Sequence, residues 1–339
     1  MSDNFVIKAV NLNNFRCHEK YSLRCKKETT LILGENGCGK TSVLEAIYIA
    51  LRGKSFRAPD REILRRGSDY YRIELIWESG EIVTVLFDGG KKTFLIKDKK
   101  TVRLPKKEKY PVSLFLPEDL HLVASSPTSK REYFDRFLTQ LDERYNNSLS
   151  KYNKALKQRN ELLKQEVVTE DMLFSWNLLL ARYGVEIRKL RKWLASEINS
   201  ELTETYRSIA DNSDEVKLKY ISYTDEVDEG EYLRLLNLDF DRDRLTGHTN
   251  FGVHKDNYDF IFNRRAADGS ASRGELRSII LALKFIEAQE FKKVLGKRPV
   301  VLLDDVFSEL DSARQKCLVK NFKDNQVILT SVSGLDLDN

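Results

Sequence analysis

Apolar positions near the start of the chain come in runs of strand length. "FVIKAVNLNNF" (Phe5 to Phe15) and "TTLIL" (Thr29 to Leu33) are β-branched and apolar enough to open a sheet. Between Tyr71 and Tyr110 the pattern turns to alternation. "YRIELIW", "EIVTVLF" and "KTFLI", parted by Ser-Gly and Gly-Gly, predict antiparallel hairpins. From Ser129 to Ile209 glycine and proline almost vanish, and Leu138, Leu141, Tyr145, Leu149, Tyr152 and Leu156 recur at spacings of three and four. That stripe predicts two or three helices packed on one face. "VKLKYISYTDE" (Val216 to Glu226) reads as an edge strand and is followed by a mixed stretch to Asn263. Leu276, Ile279, Ile280, Leu283 and Ile286 mark one more helix, and "PVVLL" before Asp304 reads as a buried parallel strand. No internal repeat or low-complexity tract interrupts the pattern.

The elements matter because of what joins them. "GENGCGKTSVLEAI" (Gly34 to Ile47) lies between the strand "TTLIL" and a helix carrying Val43, Leu44, Ile47 and Leu51. It places Gly34, Gly39, Lys40 and Thr41 in the fixed positions of a phosphate-binding P-loop. A glycine turn that only connects a strand to a helix needs none of the other fixed residues. In a P-loop the backbone N–H groups from Gly34, Asn36, Gly37, Cys38, Gly39 and Lys40 through Thr41 and Ser42 face the phosphates of ATP, helped by the helix N-terminus. Lys40 reaches the β- and γ-phosphates and the Thr41 hydroxyl ligates Mg²⁺. At the far end of the chain, "PVVLLDDVFSELD" (Pro299 to Asp311) ends a buried strand in two carboxylates. Asp304 is expected to hold Mg²⁺ through a water, and Asp305 stands where a base orients the attacking water. Just upstream, Ser272-Arg273-Gly274-Glu275 opens a helix. A plain N-cap accounts for Ser272 alone. One helix before the acidic strand, Ser272 and Gly274 read as the signature of an ATP-binding-cassette ATPase, and "SELD" (Ser308 to Asp311) reads as its D-loop. The signature of such an enzyme closes over the nucleotide of a second copy, so an ATP-dependent homodimer is expected.

The expected fold is α/β: an ABC/SMC-type P-loop ATPase head with an antiparallel β meander and an inserted helical lobe, without a long coiled coil. Residues 1–125 and 247–339 are assigned to the ATPase lobe and 126–246 to the largely helical second lobe. About 230 residues part the P-loop from the signature, yet no heptad array is long enough for an SMC arm.

Composition narrows the partners. With 41% hydrophobic residues the chain can bury a core, and no run of eighteen apolar residues or basic-then-apolar leader is present, so no membrane and a cytoplasmic location are expected. Cys17, Cys25, Cys38 and Cys317 form no C-x-x-C pair, which fits a reducing compartment. Net charge is only +5, but Gly89 to Tyr110 holds nine basic residues against two acidic ones. Arg52, Lys54, Arg57, Arg61, Arg65 and Arg66 form a second cluster, and Lys151, Lys154, Lys157 and Arg159 a third. Such groups suit DNA phosphates as well as plain solvation, and no base-reading helix accompanies them.

An ordered set of stretches resembles the RecF family of bacterial DNA-repair proteins nearly end to end. It comprises "NLNNFR", the P-loop, "LRGKSFR" (Leu51 to Arg57), "LFLPEDLHLV" (Leu114 to Val123), "SPTSKREYFD" (Ser126 to Asp135), "GVHKDNYDF" (Gly252 to Phe260), the signature and "LLDDVFSELD". The resemblance implies a slow, DNA-associated ATPase that dimerises on double-stranded, gapped or junction DNA without sequence preference and works with RecO and RecR in recombinase loading. The chain departs from the family pattern at Cys38, where Ser or Ala is usual, at Lys130-Arg131, where Arg-Arg is common, and at Asp256-Asn257, where Asp-Asp is frequent. No convincing Q-loop glutamine is found. "VILTSV" (Val327 to Val332) offers no switch histidine, which weighs against the alternative of a transporter subunit and leaves an SMC-related ATPase with a non-repair partner open.

Overall fold

The computed structural model describes residues 5–224 and 227–332. Contacts divide the chain into two compact units, 1–120 with 287–339 and 121–286.

The first unit holds two sheets. One is antiparallel, built from β1 (Ile7–Phe15), β2 (His18–Arg24), β4 (Tyr70–Trp77), β5 (Ile82–Asp88), β6 (Lys91–Ile96) and β7 (Lys99–Thr101) in the order β2-β1-β4-β5-β6-β7. The other is parallel, with β3 (Thr29–Leu33), β8 (Val112–Phe115), β12 (Val300–Leu303) and β13 (Val327–Ser331) in the order β3-β13-β12-β8. Helix α1 (Lys40–Arg52) packs against strands of both sheets, so every residue from Ser42 to Leu51 is buried. The predicted stripe is therefore the visible part of a helix surrounded by core. Gln326 ties the sheets together: its side-chain oxygen accepts from Ile7 N at 2.8 Å and its amide donates to Ile7 O at 2.7 Å and Lys26 O at 2.9 Å. A short turn, α2 (Asp60–Ile63), and helix α10 (Ser312–Phe322) complete the unit.

In the second unit the predicted helical region forms α3 (Pro127–Leu141), α4 (Glu143–Leu163) and α5 (Glu170–Ala210). The single stripe breaks at Asp142, whose carboxylate caps α4 by accepting from Arg144 N at 2.7 Å. β9 (Val216–Ile221) is an edge strand of a three-stranded antiparallel sheet with β10 (Asn257–Phe262) and β11 (Arg265–Ala266). Asp225 and Glu226, the end of the predicted strand segment, lie outside the described residues. Helices α6 (Glu229–Leu238), α7 (Phe240–Thr246) and α8 (Ala267–Ser270) follow, and α9 (Arg273–Leu295) carries the chain across the unit boundary.

That boundary, at 286/287, differs from the expected 246/247. The reason is strand pairing: β10 bonds to β9 along its full length and α3 packs on it, which keeps 257–262 with the helices. Arg159 also differs from its expected exposed position. It is fully buried, donating to Asp243 at 2.6 Å, to Thr249 at 2.7 Å and to Asn177 at 2.7 Å. A buried charge needs that compensation, and removing one partner of such a pair costs about 3–5 kcal/mol.

Candidate functional site

Between β3 and α1 the chain turns through Gly34–Gly39, with Gly37 at φ 84° and Gly39 at φ 99°. At Gly39 a side chain is excluded twice over. The left-handed φ disfavours it, and a Cβ there would lie 2.4 Å from Cys17 Sγ and 2.5 Å from His18 Nε2. At Gly34 a Cβ would meet Cys38 Sγ at 2.5 Å. Cys38 is thus an exposed small spacer folded over the glycine that begins the loop.

Lys40 is buried, and its ammonium donates to Gly34 O at 2.8 Å and Glu35 O at 3.2 Å. Its charge stands 3.6 Å from Asp305 Oδ2. Thr41 Oγ1 donates to Asp304 Oδ1 at 2.9 Å, joining residues 263 positions apart. β12 and β13 run parallel, with Leu303 beside Leu329, which brings Thr330 to the same carboxylate. Thr330 Oγ1 donates to Asp304 Oδ1 at 2.9 Å and accepts from Asp305 N at 2.8 Å. Burial pushes the Asp304 carboxyl above its ordinary range, the Thr41 and Thr330 hydroxyls oppose that, and the Asp305 charge adds to it.

Asp305 occupies the left-handed region at φ 48°, a strained place for a non-glycine residue. Its Oδ1 is buried and makes no hydrogen bond. Residues of the loop, Arg16, Arg57 and Asp305 border a pocket of about 640 Å³. Asn36, Gly37, Gly39, Lys40, Thr41 and Ser42 all line it. Ser272 and Gly274 are at the start of α9 in the other unit. There Ser272 Oγ accepts from Glu275 N at 3.3 Å while Glu275 Oε2 accepts from Ser272 N at 2.5 Å, a reciprocal cap. In the D-loop stretch Ser308 Oγ donates to Asp305 O at 2.7 Å, and Asp311 caps α10 through Arg314 N at 3.0 Å.

Sequence reasoning does not single out two positions that brace these elements. One is Thr330. The other is Glu45, fully buried on α1. Its carboxylate accepts two bonds from Arg16 at 2.8 and 2.9 Å, one from Arg57 at 3.0 Å and one from Ser55 at 2.6 Å. Burial alone raises its pKa, and these bonds outweigh burial and hold the carboxyl below its ordinary range. Arg57 also donates to Ser42 Oγ at 3.3 Å. The stretches "NLNNFR" and "GKSFR" therefore converge on one buried acid beneath the P-loop. Its signal was a glutamate four residues after Thr41 inside an otherwise apolar run.

In the second unit, "SPTSKREYFD" and "GVHKDNYDF" form a buried polar framework. Asp256 accepts from Arg188 at 3.1 and 3.2 Å and from the Tyr220 hydroxyl, and Arg131 donates to its carbonyl at 2.7 Å. Lys130 Nζ donates to Asp259 at 3.3 Å. His254 Nδ1 pairs with Tyr152 OH at 2.8 Å and Nε2 with Thr249 O at 3.0 Å, and burial pushes its pKa down to about 4.

A loop of this geometry, with a lysine inside it and a threonine–aspartate pair beside it, defines the class: a P-loop ATPase. Residues 6–181 match the family model described as the AAA ATPase domain. RecF of Clostridium perfringens (strain 13) is 33% identical over 340 residues, covering 98% of this chain and 94% of that protein. RecF of Agathobacter rectalis is 34% identical, covering 98% and 93%. The solved structure of the recombination mediator protein RecF-ATPrS in the RecFOR pathway superposes with a TM-score of 0.88 at 26% identity, over 99% of this chain and 95% of that one. RecF-ATP superposes with 0.87 over 99% and 94%, also at 26% identity. The chain belongs to the RecF family of DNA replication and repair proteins.

Proposed function

We propose that the protein is an ATP-switched clamp on DNA, in which two copies close over ATP and slow hydrolysis releases them. The observation that carries this is the convergence of Lys40, Thr41 and Asp305 on one pocket, with Asp304 bonded to Thr41 beside it, from opposite ends of the sequence. A divalent ion fits the donor set. Thr41 and Asp304 offer hard oxygens already paired, Asp305 Oδ1 is a buried orphan, and among the described residues no group of three or more His, Cys, Asp or Glu gathers as a separate cage. That pattern suits Mg²⁺ held jointly with substrate phosphates. Bound there, the ion neutralises charge on the β- and γ-phosphates.

The chain's own groups divide the remaining work. Lys40 places fixed positive charge at the β- and γ-phosphates, the loop N–H groups orient them, and Thr330 holds Asp304 and Asp305 in place. Asp305 directs an unpartnered carboxylate oxygen at the attacking water. Aspartate is short for that task, and a displacement of about 1 Å costs on the order of a hundredfold in rate, so hydrolysis is slow. Ser272 and Gly274 of a second copy contact the γ-phosphate through the free N–H groups of their helix.

DNA is held through its backbone. Lys91, Lys97, Lys99, Lys100, Arg103, Lys106 and Lys107 are all exposed along the β6–β7 hairpin and the turn that follows. Double-stranded, gapped or junction DNA is the ligand, without sequence preference, and RecO and RecR are the partners in recombinase loading. The setting is the cytoplasm; among the described residues no helix is long and apolar enough to cross a membrane. Sedimentation of the pure chain with and without ATP and gapped DNA tests the proposal. A dimer that requires ATP, persists on DNA and is lost in Lys40→Ala supports it. A monomer under all conditions refutes it.

A further inference from the structure

On the antiparallel sheet, away from the residues of the P-loop pocket, lies a hollow of about 280 Å³. Its floor is apolar: Trp77, Val83, Ile96 and Tyr110 are all buried there. Phe5 closes one side, 45% exposed, with its ring 5.6 Å from Trp77 and 5.4 Å from Tyr110. Ile82, 46% exposed, also lines the hollow as a large apolar side chain in contact with solvent. The rim is basic in excess, with Lys97, Lys107, Lys109 and Lys297 against Glu81 and Glu108. Lys97 pairs with Glu81 at 2.9 Å, and Lys297 Nζ lies 5.2 Å from the Phe5 ring centre and 5.5 Å from that of Tyr110. Phe5 and Tyr110 also wall a second hollow of about 470 Å³, bordered by Lys27, Arg298 and Lys323 and by Glu28 and Asp324.

We infer that this pair of hollows is a docking site for a partner protein's acidic segment carrying one bulky apolar side chain. The smaller hollow takes the apolar side chain between Phe5 and Ile82, where burying it releases water from both. The lysine rim meets flanking carboxylates, and the second hollow continues the track past Phe5 for an extended chain. Charge complementarity excludes a basic segment. Aromatic walls such as Phe5 and Tyr110 also stack nucleobases, so nucleic acid is the competing outcome of the test. The ATP pocket uses none of these residues, so the site is independent of the nucleotide reading.

The test is fluorescence anisotropy with the full chain and a labelled peptide, Asp-Asp-Phe-Asp-Asp, at low salt. Saturable binding is expected below about 1 mM, weakened about tenfold or more when the peptide's Phe becomes Ala or its aspartates become lysines. Ile82→Glu and Lys107→Glu change two exposed rim residues and should each weaken the peptide about fivefold or more while ATP binding stays at the parent level. No saturable binding, equal binding of the Ala peptide, or indifference to both substitutions overturns the inference. Lys107 also belongs to the basic hairpin proposed to meet DNA, so Ile82→Ala, which leaves the charge unchanged, separates the occupants: loss of the peptide without loss of a five-residue thymidine oligonucleotide supports the inference, and equal loss of both overturns it in favour of nucleic acid.

Discussion

Replacing Thr330 by valine keeps the shape of the side chain and removes one hydroxyl, so the loss can be assigned to two bonds. The Asp305 N–H, bonded to Thr330 Oγ1 at 2.8 Å, is left without that acceptor, and Asp304 loses one of its two hydroxyl donors. An unsatisfied buried donor costs about 1–3 kcal/mol and a bond to a charged group contributes about 1.5–3. The two share one oxygen and are not additive, so a net loss of about 2–4 kcal/mol is expected. Denaturant unfolding of Thr330→Val against the parent measures it. Thr330→Ser keeps both bonds and loses one methyl, about 1 kcal/mol. A second readout follows the charge. Thr330 lowers the Asp304 pKa against burial, so its removal raises that pKa further. A carboxyl whose folded pKa is raised above its unfolded value disfavours the fold when ionised, and the penalty is relieved as pH falls through the folded value. Thr330→Val should also need more Mg²⁺ to bind ATP, because Asp304 loses a hydroxyl that fixes its position. Parent-like stability and Mg²⁺ dependence in Thr330→Val, or a serine variant as damaged as the valine one, refutes the reasoning.

Asp305→Asn should retain ATP, since Lys40, Thr41 and Asp304 remain, yet accumulate as an ATP-bound dimer on DNA, whereas Asp304→Asn should lose Mg²⁺-dependent affinity; turnover at the parent rate in Asp305→Asn shows that another group orients the water. Lys99→Glu with Lys100→Glu should weaken all duplexes alike and reduce the salt slope by about 0.9 for each DNA phosphate no longer neutralised, and an unchanged slope makes the hairpin a solvated surface. His254 is held neutral, with its pKa lowered to about 4. Its contribution is whole above pH about 6.5 and is lost as pH falls toward 4, by up to about 3 kcal/mol; a stability–pH profile in which His254→Gln keeps the parent's slope over that interval removes histidine as the cause.

How much of this was legible in the sequence depends on the range of the interaction. The P-loop could be read because its geometry is local: Gly34 to Thr41 carry the glycines, the lysine and the hydroxyl within eight residues. The hairpins could be read for the same reason, since alternation within β4, β5 and β6 states which face is buried. Arg159 shows two sequence signals in conflict. Tyr145, Tyr152, Ala155 and Arg159 fall on one buried face of α4, so spacing put the arginine with the core while its neighbours Lys151, Lys154 and Lys157 drew it toward the charged face. Residue type and period point to opposite faces. The period was right.

Thr330 and Glu45 mark a different limit. Nothing within "VILTSV" distinguishes Thr330 until β13 is set beside β12, because its two partners lie 25 and 26 residues away on the neighbouring strand's end. Glu45 depends on two further segments, 29 residues before it and 10 to 12 after it, that meet only when the sheet and the turn around Ser55 pack on α1. Both positions tie together elements around the P-loop, and both are buried polar groups satisfied by several partners. Such a group is specified by the fold as a whole, since each partner missing leaves a costly unpaired atom. Arg16, Ser55 and Arg57, from two of the stretches that resemble the RecF family, share this role: they supply the partners that make a buried Glu45 tolerable beneath the phosphate-binding loop. Truncating Arg16, Ser55 or Arg57 removes one of the partners of this buried carboxylate on the helix that follows the loop and leaves it with the others, so each truncation costs part of the compensation that a buried charge needs.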